Sequence, residues 1–187
     1  MESLRLFVSP DGEYFVNLHF DTTLHRRSGN DLIFCKKLST IKNPDTVCFS
    51  DDSKMAAVKN NNNLIEIFNL DSGKRIFKGE GTREFGCEMF FVDNTTLLSS
   101  TYSGKIFTVD ITTGQMNCLG QLNLDNVEII KVNNNRYLIL GDERDNSTSV
   151  LSLSIEKNEA TINLIHSCSA RVYTHKSCFV NNKLYVL

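Results

Sequence analysis

Short apolar runs alternate with polar, Asx-rich turns along the whole chain. One arrangement recurs: an apolar run, a polar turn, then a second apolar run. It is read as LFVSPDGEYFVNL, VCFSDDSKMAAV, MFFVDNTTLLSS and IIKVNNNRYLIL, and a fifth copy begins as SCFVNNKLYVL. Aligning Val8, Phe49, Phe91 and Lys131 gives spacings of 41, 42 and 40 residues, with 48 more to Phe179. The second half of each copy repeats too, as NNLIEIFNLDSGKRIF, SGKIFTVDITTGQMNC and STSVLSLSIEKNEATI. Val150, Ser152 and Ser154 alternate with Leu151, Leu153 and Ile155, the period of a strand. No run of helix length has a period near 3.6.

This pattern predicts strands at 46–50, 54–59, 64–70 and 74–78 in the second copy. In the third it predicts 87–92, 96–101, 105–111 and 115–119, and in the fourth 127–132, 137–141, 149–155 and 160–165. Between the last two strands of each copy stand Ser28-Gly29, Ser72-Gly73, Thr113-Gly114 and Lys157-Asn158, where Gly or Asn supplies the positive φ of a tight hairpin. Four strands per repeat of 40–45 residues is the signature of a β-propeller blade. The expected fold is therefore all-β: a propeller of about four four-stranded antiparallel blades plus a partial fifth. The blades run over residues 1–40, 41–80, 81–122 and 123–168, with the partial one at 169–187.

Two motifs carry a family resemblance. Ser9-Pro10-Asp11-Gly12-Glu13 and Phe49-Ser50-Asp51-Asp52-Ser53-Lys54 resemble the F-S-P-D-G-K turn of WD repeats. Phe68-Asn69-Leu70-Asp71-Ser72-Gly73-Lys74 sits where that family has W-D-x-x-T-G-K. The chain has no Trp, and the positions of the Trp-Asp pair hold Leu24-His25, Phe68-Asn69, Val109-Asp110 and Leu153-Ser154. The Gly-His step before each blade is missing as well. The resemblance implies a degenerate WD-like or quinoprotein-like propeller without the family's buried His/Ser/Trp/Asp network, held mainly by apolar packing between sheets.

A blade needs neighbours on both faces. The sequence begins on the first strand of a blade and stops inside the second strand of the fifth, with no spare outer strand at its start. It reads as part of a six- or seven-bladed propeller, as four blades closed with an extra hairpin, or as one member of a pair. Bare blade faces and strand edges promote association, so self-association through open edges is expected.

Composition narrows the classes. Leu, Ile, Val and Phe make up about 30% of the chain, enough for a real core. A net charge of −2 disfavours nucleic acid as a partner. No apolar stretch is long enough to span a bilayer, and Pro10, Asp11 and Gly12 interrupt any export signal, so no membrane partner and a cytoplasmic or nuclear location are expected. The six cysteines form no C-x-x-C pair and are expected as small buried hydrophobes.

Candidate chemistry is sparse. His166, Cys168, His175 and Cys178 could ligate zinc, but their spacing matches no common finger, and Cys178-Phe179 aligns with the core pair Cys48-Phe49. No metal site and no cofactor are therefore assigned. No nucleophile elbow, phosphate-binding loop or H-E-x-x-H occurs, so no catalytic residue is assigned. Two loops carry candidate partner-binding residues: Arg83, Glu84 and Phe85 between the second and third blades, and Asp142 and Arg144 in the fourth. The reading is a non-catalytic scaffold for protein partners, part of a larger propeller. The alternatives are the propeller portion of a lactonase-like or quinoprotein-like enzyme, or a structural fragment with no independent role.

Overall fold

The computed structural model describes residues 5–19, 21–39, 44–60, 64–80, 89–101, 103–133, 135–143, 147–156, 159–169, 177–180 and 183–186. Their regular structure is strand throughout. The first sheet contains β1 (Arg5–Val8), β2 (Tyr14–Leu18), β3 (Thr22–Ser28) and β4 (Asp31–Ser39). The second contains β5 (Pro44–Phe49), β6 (Met55–Asn60), β7 (Leu64–Asn69) and β8 (Arg75–Glu80). The third has β9 (Met89–Phe91), β10 (Thr96–Ser100), β11 (Lys105–Asp110) and β12 (Met116–Gln121). The fourth has β13 (Asp125–Asn133), β14 (Arg136–Asp142), β15 (Thr148–Glu156) and β16 (Glu159–Cys168). A hairpin of β17 (Ser177–Val180) and β18 (Lys183–Val186) follows. Within every sheet the strands lie side by side in chain order. The expected all-β class, four four-stranded sheets and a partial fifth, is what the chain adopts.

Position within a sheet decides which residue types a strand uses. In the second sheet β6, MAAVKN, is buried at every position, and β7, LIEIFN, is buried over its central four residues. Inner strands covered on both faces read as continuous apolar runs rather than alternating ones. The last strand of a sheet has open space on one side. Accordingly β12 is mostly exposed and β16 more so. Gly29, Gly73 and Gly114 take φ of 63°, 61° and 76° at the hairpin positions where the sequence calls for positive φ.

The chain divides into two compact units. The first comprises Met1–Phe85, Met89–Leu97 and Val109–Gln115, and the second Gly86–Glu88, Leu98–Thr108 and Met116–Leu187. In the first unit, Tyr14, Val16, Leu18, Leu24 and Leu38 of the first sheet share one core cluster with Val47, Ala56, Val58, Phe68 and Leu70. Phe7 and Phe49 pack at its margin. Each large side chain buried there contributes about 1.5–3 kcal/mol. In the second unit, Val127, Ile129, Tyr137, Ile139, Leu153 and Ile155 are among the buried apolar positions of the fourth sheet. Leu124 packs so closely on Gly141 that a Cβ there would lie 2.8 Å from it.

Candidate interaction surface

The polar chemistry of the first unit concentrates in the tight turns that join consecutive strands of its sheets. In the β1–β2 turn, Ser9 Oγ donates to Asp11 Oδ1 at 2.5 Å and accepts from Tyr14 N at 2.9 Å. Glu13 N also donates to Asp11 Oδ1, at 2.9 Å. The β5–β6 turn repeats this atom for atom. Ser50 Oγ donates to Asp52 Oδ1 at 2.7 Å and accepts from Met55 N at 2.9 Å, while Lys54 N donates to Asp52 Oδ1 at 3.1 Å. In the β9–β10 turn, Asp93 Oδ1 accepts from Thr95 N at 2.7 Å. Between β11 and β12, Asp110 Oδ1 accepts from the Thr112 hydroxyl and from the Thr112 and Thr113 amides at 2.6–3.0 Å. These bonds favour the charged carboxylate. The Ser9 hydroxyl and Glu13 amide hold Asp11 below the usual carboxylate range, as the Ser50 hydroxyl does for Asp52 and the Thr112 hydroxyl for Asp110.

Neighbouring turns are also joined to one another. Asp11 N donates to Ser53 Oγ at 3.1 Å, and Asn94 Nδ2 donates to Asp52 Oδ2 at 3.1 Å. Both links span 42 residues, one repeat, so equivalent turns of consecutive sheets are stitched in sequence. Tyr14 adds a third link, donating to Asp71 Oδ1 in the β7–β8 turn at 2.6 Å, and this bond pushes the phenol up to about 12. The apolar cluster shared by the first two sheets is thus accompanied by a polar network placed at the turns. The signal for it was the repeated Ser-x-Asp at Ser9 and Ser50. Buried ionisable groups also break the apolar pattern, Glu66 among them: fully buried, it accepts from Arg75 Nη1 at 2.6 Å and lies 3.8 Å from Lys78 Nζ.

Of the residues singled out from the sequence, Arg83, Glu84, Phe85 and Arg144 lie outside the described residues, as do Cys87 and His175. Asp142 closes β14; it is buried and accepts from Thr148 Oγ1 at 3.3 Å, while Ser149 Oγ donates to Glu143. His166 and Cys168 are carried by β16, and the side chain of Cys178 lies outside the described residues. Among the described residues no group of three or more His, Cys, Asp or Glu is placed to hold a metal ion. The expected burial of the cysteines is corrected for the four whose side chains are described. Cys35 and Cys118 are exposed because they sit on the outer strands β4 and β12, and Cys48 and Cys168 are half-buried. In the second unit a cleft of about 230 Å³ is lined by Ser103, Gln121, Leu122, Asn123, Leu124 and Asp125. The groups with shifted ionisation, Asp11, Tyr14, Asp52 and Asp110, belong to the first unit, and none of them lines that cleft.

No family model and no curated protein sequence matches the chain. Solved structures do. The β-propeller domain of Cps50 (Swd1) from Myceliophteria thermophila superposes with a TM-score of 0.72 at 12% identity, covering 100% of this chain and 64% of that one. The WD40 repeats of RRP9 give 0.66 at 16% identity, and U3-55K gives 0.62 at 17%, each covering 87% of this chain and 52% of the other. The fold is that of a WD40 β-propeller. The chain spans about half to two-thirds of the length of these structures.

Proposed function

We propose that the chain is a non-catalytic scaffold that docks protein partners on the ends of its sheets. The observation that carries this reading is the row of stitched turns. Repeat-spaced hydrogen bonds hold the turns in fixed positions while leaving Glu13, Asp51 and Lys54 exposed beside them. A rigid array of short loops is a surface suited to recognition, because little ordering remains to be done on binding. The likeness to WD40 propeller domains supports the same reading at the level of fold. Arg83, Glu84, Phe85 and Arg144, which lie outside the described residues, and Asp142 at the end of β14 belong to this proposal as further candidate partner-binding residues.

The test is affinity purification with the full chain and two sets of variants. Glu13→Lys with Lys54→Glu alters the stitched turns; Arg83→Ala with Phe85→Ala alters the second candidate set. A partner retained by the parent chain and lost with one set supports docking and locates it. An identical partner profile for parent and both sets refutes docking through these residues, and turnover of a lactone or of an alcohol in the presence of a quinone cofactor by the purified chain refutes the non-catalytic reading.

A further inference from the structure

Cations line the outer margin of the contact between the first two sheets. On the first sheet, Leu24 pairs with Lys36 and Arg26 pairs with Ile33, two adjacent rows of one face. Leu24 belongs to the core shared with the second sheet, so this is the face turned towards it. Lys36 lies against the β7–β8 hairpin: a Cβ on Gly73 would be 2.9 Å from Lys36 Cδ and 3.8 Å from its Nζ. Arg26 Cζ lies 5.7 Å from the centre of the Tyr14 ring, whose hydroxyl bonds to Asp71 of the same hairpin.

The second sheet adds cations of its own. Lys74 is in that hairpin, and Arg75 and Lys78 pair with Phe68 and Glu66 on the face turned to the first sheet. Arg26, Lys36, Lys74, Arg75 and Lys78 are all exposed. Three acids stand among them. Glu66 bonds to Arg75 and lies 3.8 Å from Lys78, Asp71 accepts from the Tyr14 hydroxyl, and Asp31 stands at the tip of the β3–β4 hairpin, paired with Ser28. Among the described residues, Arg26, Lys36 and Lys74 have no carboxylate within ion-pair distance. Like charges held together without counter-charges repel, and an anionic partner removes that repulsion.

The spacing of the charges selects the partner. The Lys36 and Arg26 rows are two residues apart along β3, and the Lys78 and Arg75 rows are two residues apart along β7. Two residues of strand span about 7 Å, and alternate side chains of an extended peptide are separated by the same length. Ile33, paired with Arg26 and 53% exposed, adds an apolar contact beside the charges. With a net charge of −2, the chain offers a long polyanion no general attraction, which favours a short acidic segment over nucleic acid.

We infer that the margin between β4 and β8 binds an extended acidic segment of a protein partner. Asp or Glu at alternate positions of that segment meets Arg26 and Lys36 on one side and Lys74 on the other. These cations are not the residues assigned to docking at the stitched turns, so the two readings fail separately.

Fluorescence anisotropy of the full chain with a labelled peptide carrying Glu at alternate positions tests this. The parent is expected to bind, and to bind more weakly as salt is raised. Lys36→Glu with Lys74→Glu is expected to weaken binding by about tenfold or more. The same double variant is expected to bind a peptide with Lys in place of Glu, which the parent does not bind. Arg136→Glu, at an exposed position of the fourth sheet, is expected to leave binding unchanged. Thermal melting checks the fold, and Lys36→Gln with Lys74→Gln, with the same expected loss, replaces the reversed pair if that pair lowers the melting temperature. A parent that does not bind the Glu peptide, a double variant that binds it like the parent, or an equal loss with Arg136→Glu overturns the inference. So does equal binding of a peptide with the same Glu residues in one block, or tighter binding of single-stranded DNA or of phosphatidylserine vesicles.

Discussion

Tyr14 donates its phenolic hydrogen to the carboxylate of Asp71 at 2.6 Å, joining the second strand of the first sheet to the last hairpin of the second. The tyrosine is buried and its ring also receives Arg26, whose Cζ lies 5.7 Å from the centroid. A hydrogen bond to a charged acceptor is stronger than a neutral one, so Tyr14→Phe is expected to cost about 1–2 kcal/mol in urea unfolding. The pH dependence carries the sharper signature. The Asp71 bond raises the phenol from 10.0 to about 12 in the folded chain. Between those values the unfolded chain binds fewer protons, so stability is complete below pH 10 and is lost as the pH rises towards about 12. Tyr14→Phe should remove that alkaline loss.

The turn carboxylates give the opposite sign. Asp11 and Asp52 are held below the ordinary carboxylate value of 3.8, first by the hydroxyls of Ser9 and Ser50. Their contribution is present above that value and lost as the pH falls through the lowered folded value. Asp11→Asn and Asp52→Asn, measured as melting temperature against pH, should flatten the acid limb. An unchanged acid limb in the double variant would show that these bonds carry no stability.

Ser53 has a φ of 56° where the matching turn of the first sheet has Gly12 at 74°. A serine in the left-handed region is strained by about 1 kcal/mol, and here its hydroxyl accepts the Asp11 amide at 3.1 Å. Ser53→Gly relieves the strain while losing the bond, so it is expected to be nearly neutral. Ser53→Ala keeps the strain and loses the bond, at a cost of about 1 kcal/mol. The ordering of the two melting temperatures, Gly above Ala, is the measured outcome.

The fold was legible because a repeat states its pattern several times. The Ser9 and Ser50 turns, read together, placed two sheets that neither would have placed alone. Strand limits shifted by one to three residues; β16, for example, extends three residues beyond the expected end, to Cys168, past a bulge opposite Val150/Leu151 that no local pattern announces. The stitches between turns were less legible. Asn94 reads as a generic turn residue until its distance from Asp52 is known. The exposure of individual apolar positions was not legible either, because Val8 and Phe49 occupy equivalent repeat positions in sequence and differ in exposure, Val8 being 48% exposed and Phe49 packed against the core cluster. Asp142 was read as a loop residue because an Asp-Glu-Arg-Asp run looks solvated; its bond from Thr148 is a cross-strand relation invisible along the chain.

Glu66 and its two cations respond asymmetrically to substitution. The carboxylate is fully buried while Arg75 and Lys78 are each roughly half exposed, with side-chain exposures of 45% and 46%. Removing the acid leaves cations that can turn to water. Removing Arg75 weakens the pairing of a charge that cannot. Arg75→Ala is therefore expected to cost about 2–3 kcal/mol and Glu66→Gln about 1 kcal/mol, read from chemical denaturation midpoints. Equal losses would show that the burial of Glu66 does not govern the pair.

Two glycines with similar backbone angles separate strain from space. Gly73 has a φ of 61°, and a Cβ there would meet Lys36 Cδ at 2.9 Å, an atom of a flexible side chain that can move aside. Gly104 has a φ of 87°, and a Cβ there would lie 2.6 Å from the Leu122 carbonyl oxygen and 2.7 Å from that of Leu124. Those carbonyls belong to the connection between β12 and β13, fixed by Leu122 N donating to Gly104 O at 2.8 Å and by Gln121 Nε2 donating to Ser103 O at 2.6 Å. Backbone cannot yield without breaking these bonds. Gly73→Ala is expected to cost about 1 kcal/mol, the penalty for a side chain in the left-handed region. Gly104→Ala is expected to cost about 3 kcal/mol, since the clash adds to that penalty. Because Ser103, Gln121 and Leu122 also line the 230 Å³ cleft, amide exchange in the 121–125 connection should rise in Gly104→Ala and stay unchanged in Gly73→Ala. Equal losses of stability in the two variants would mean that the connection moves freely and that φ alone sets the requirement for glycine.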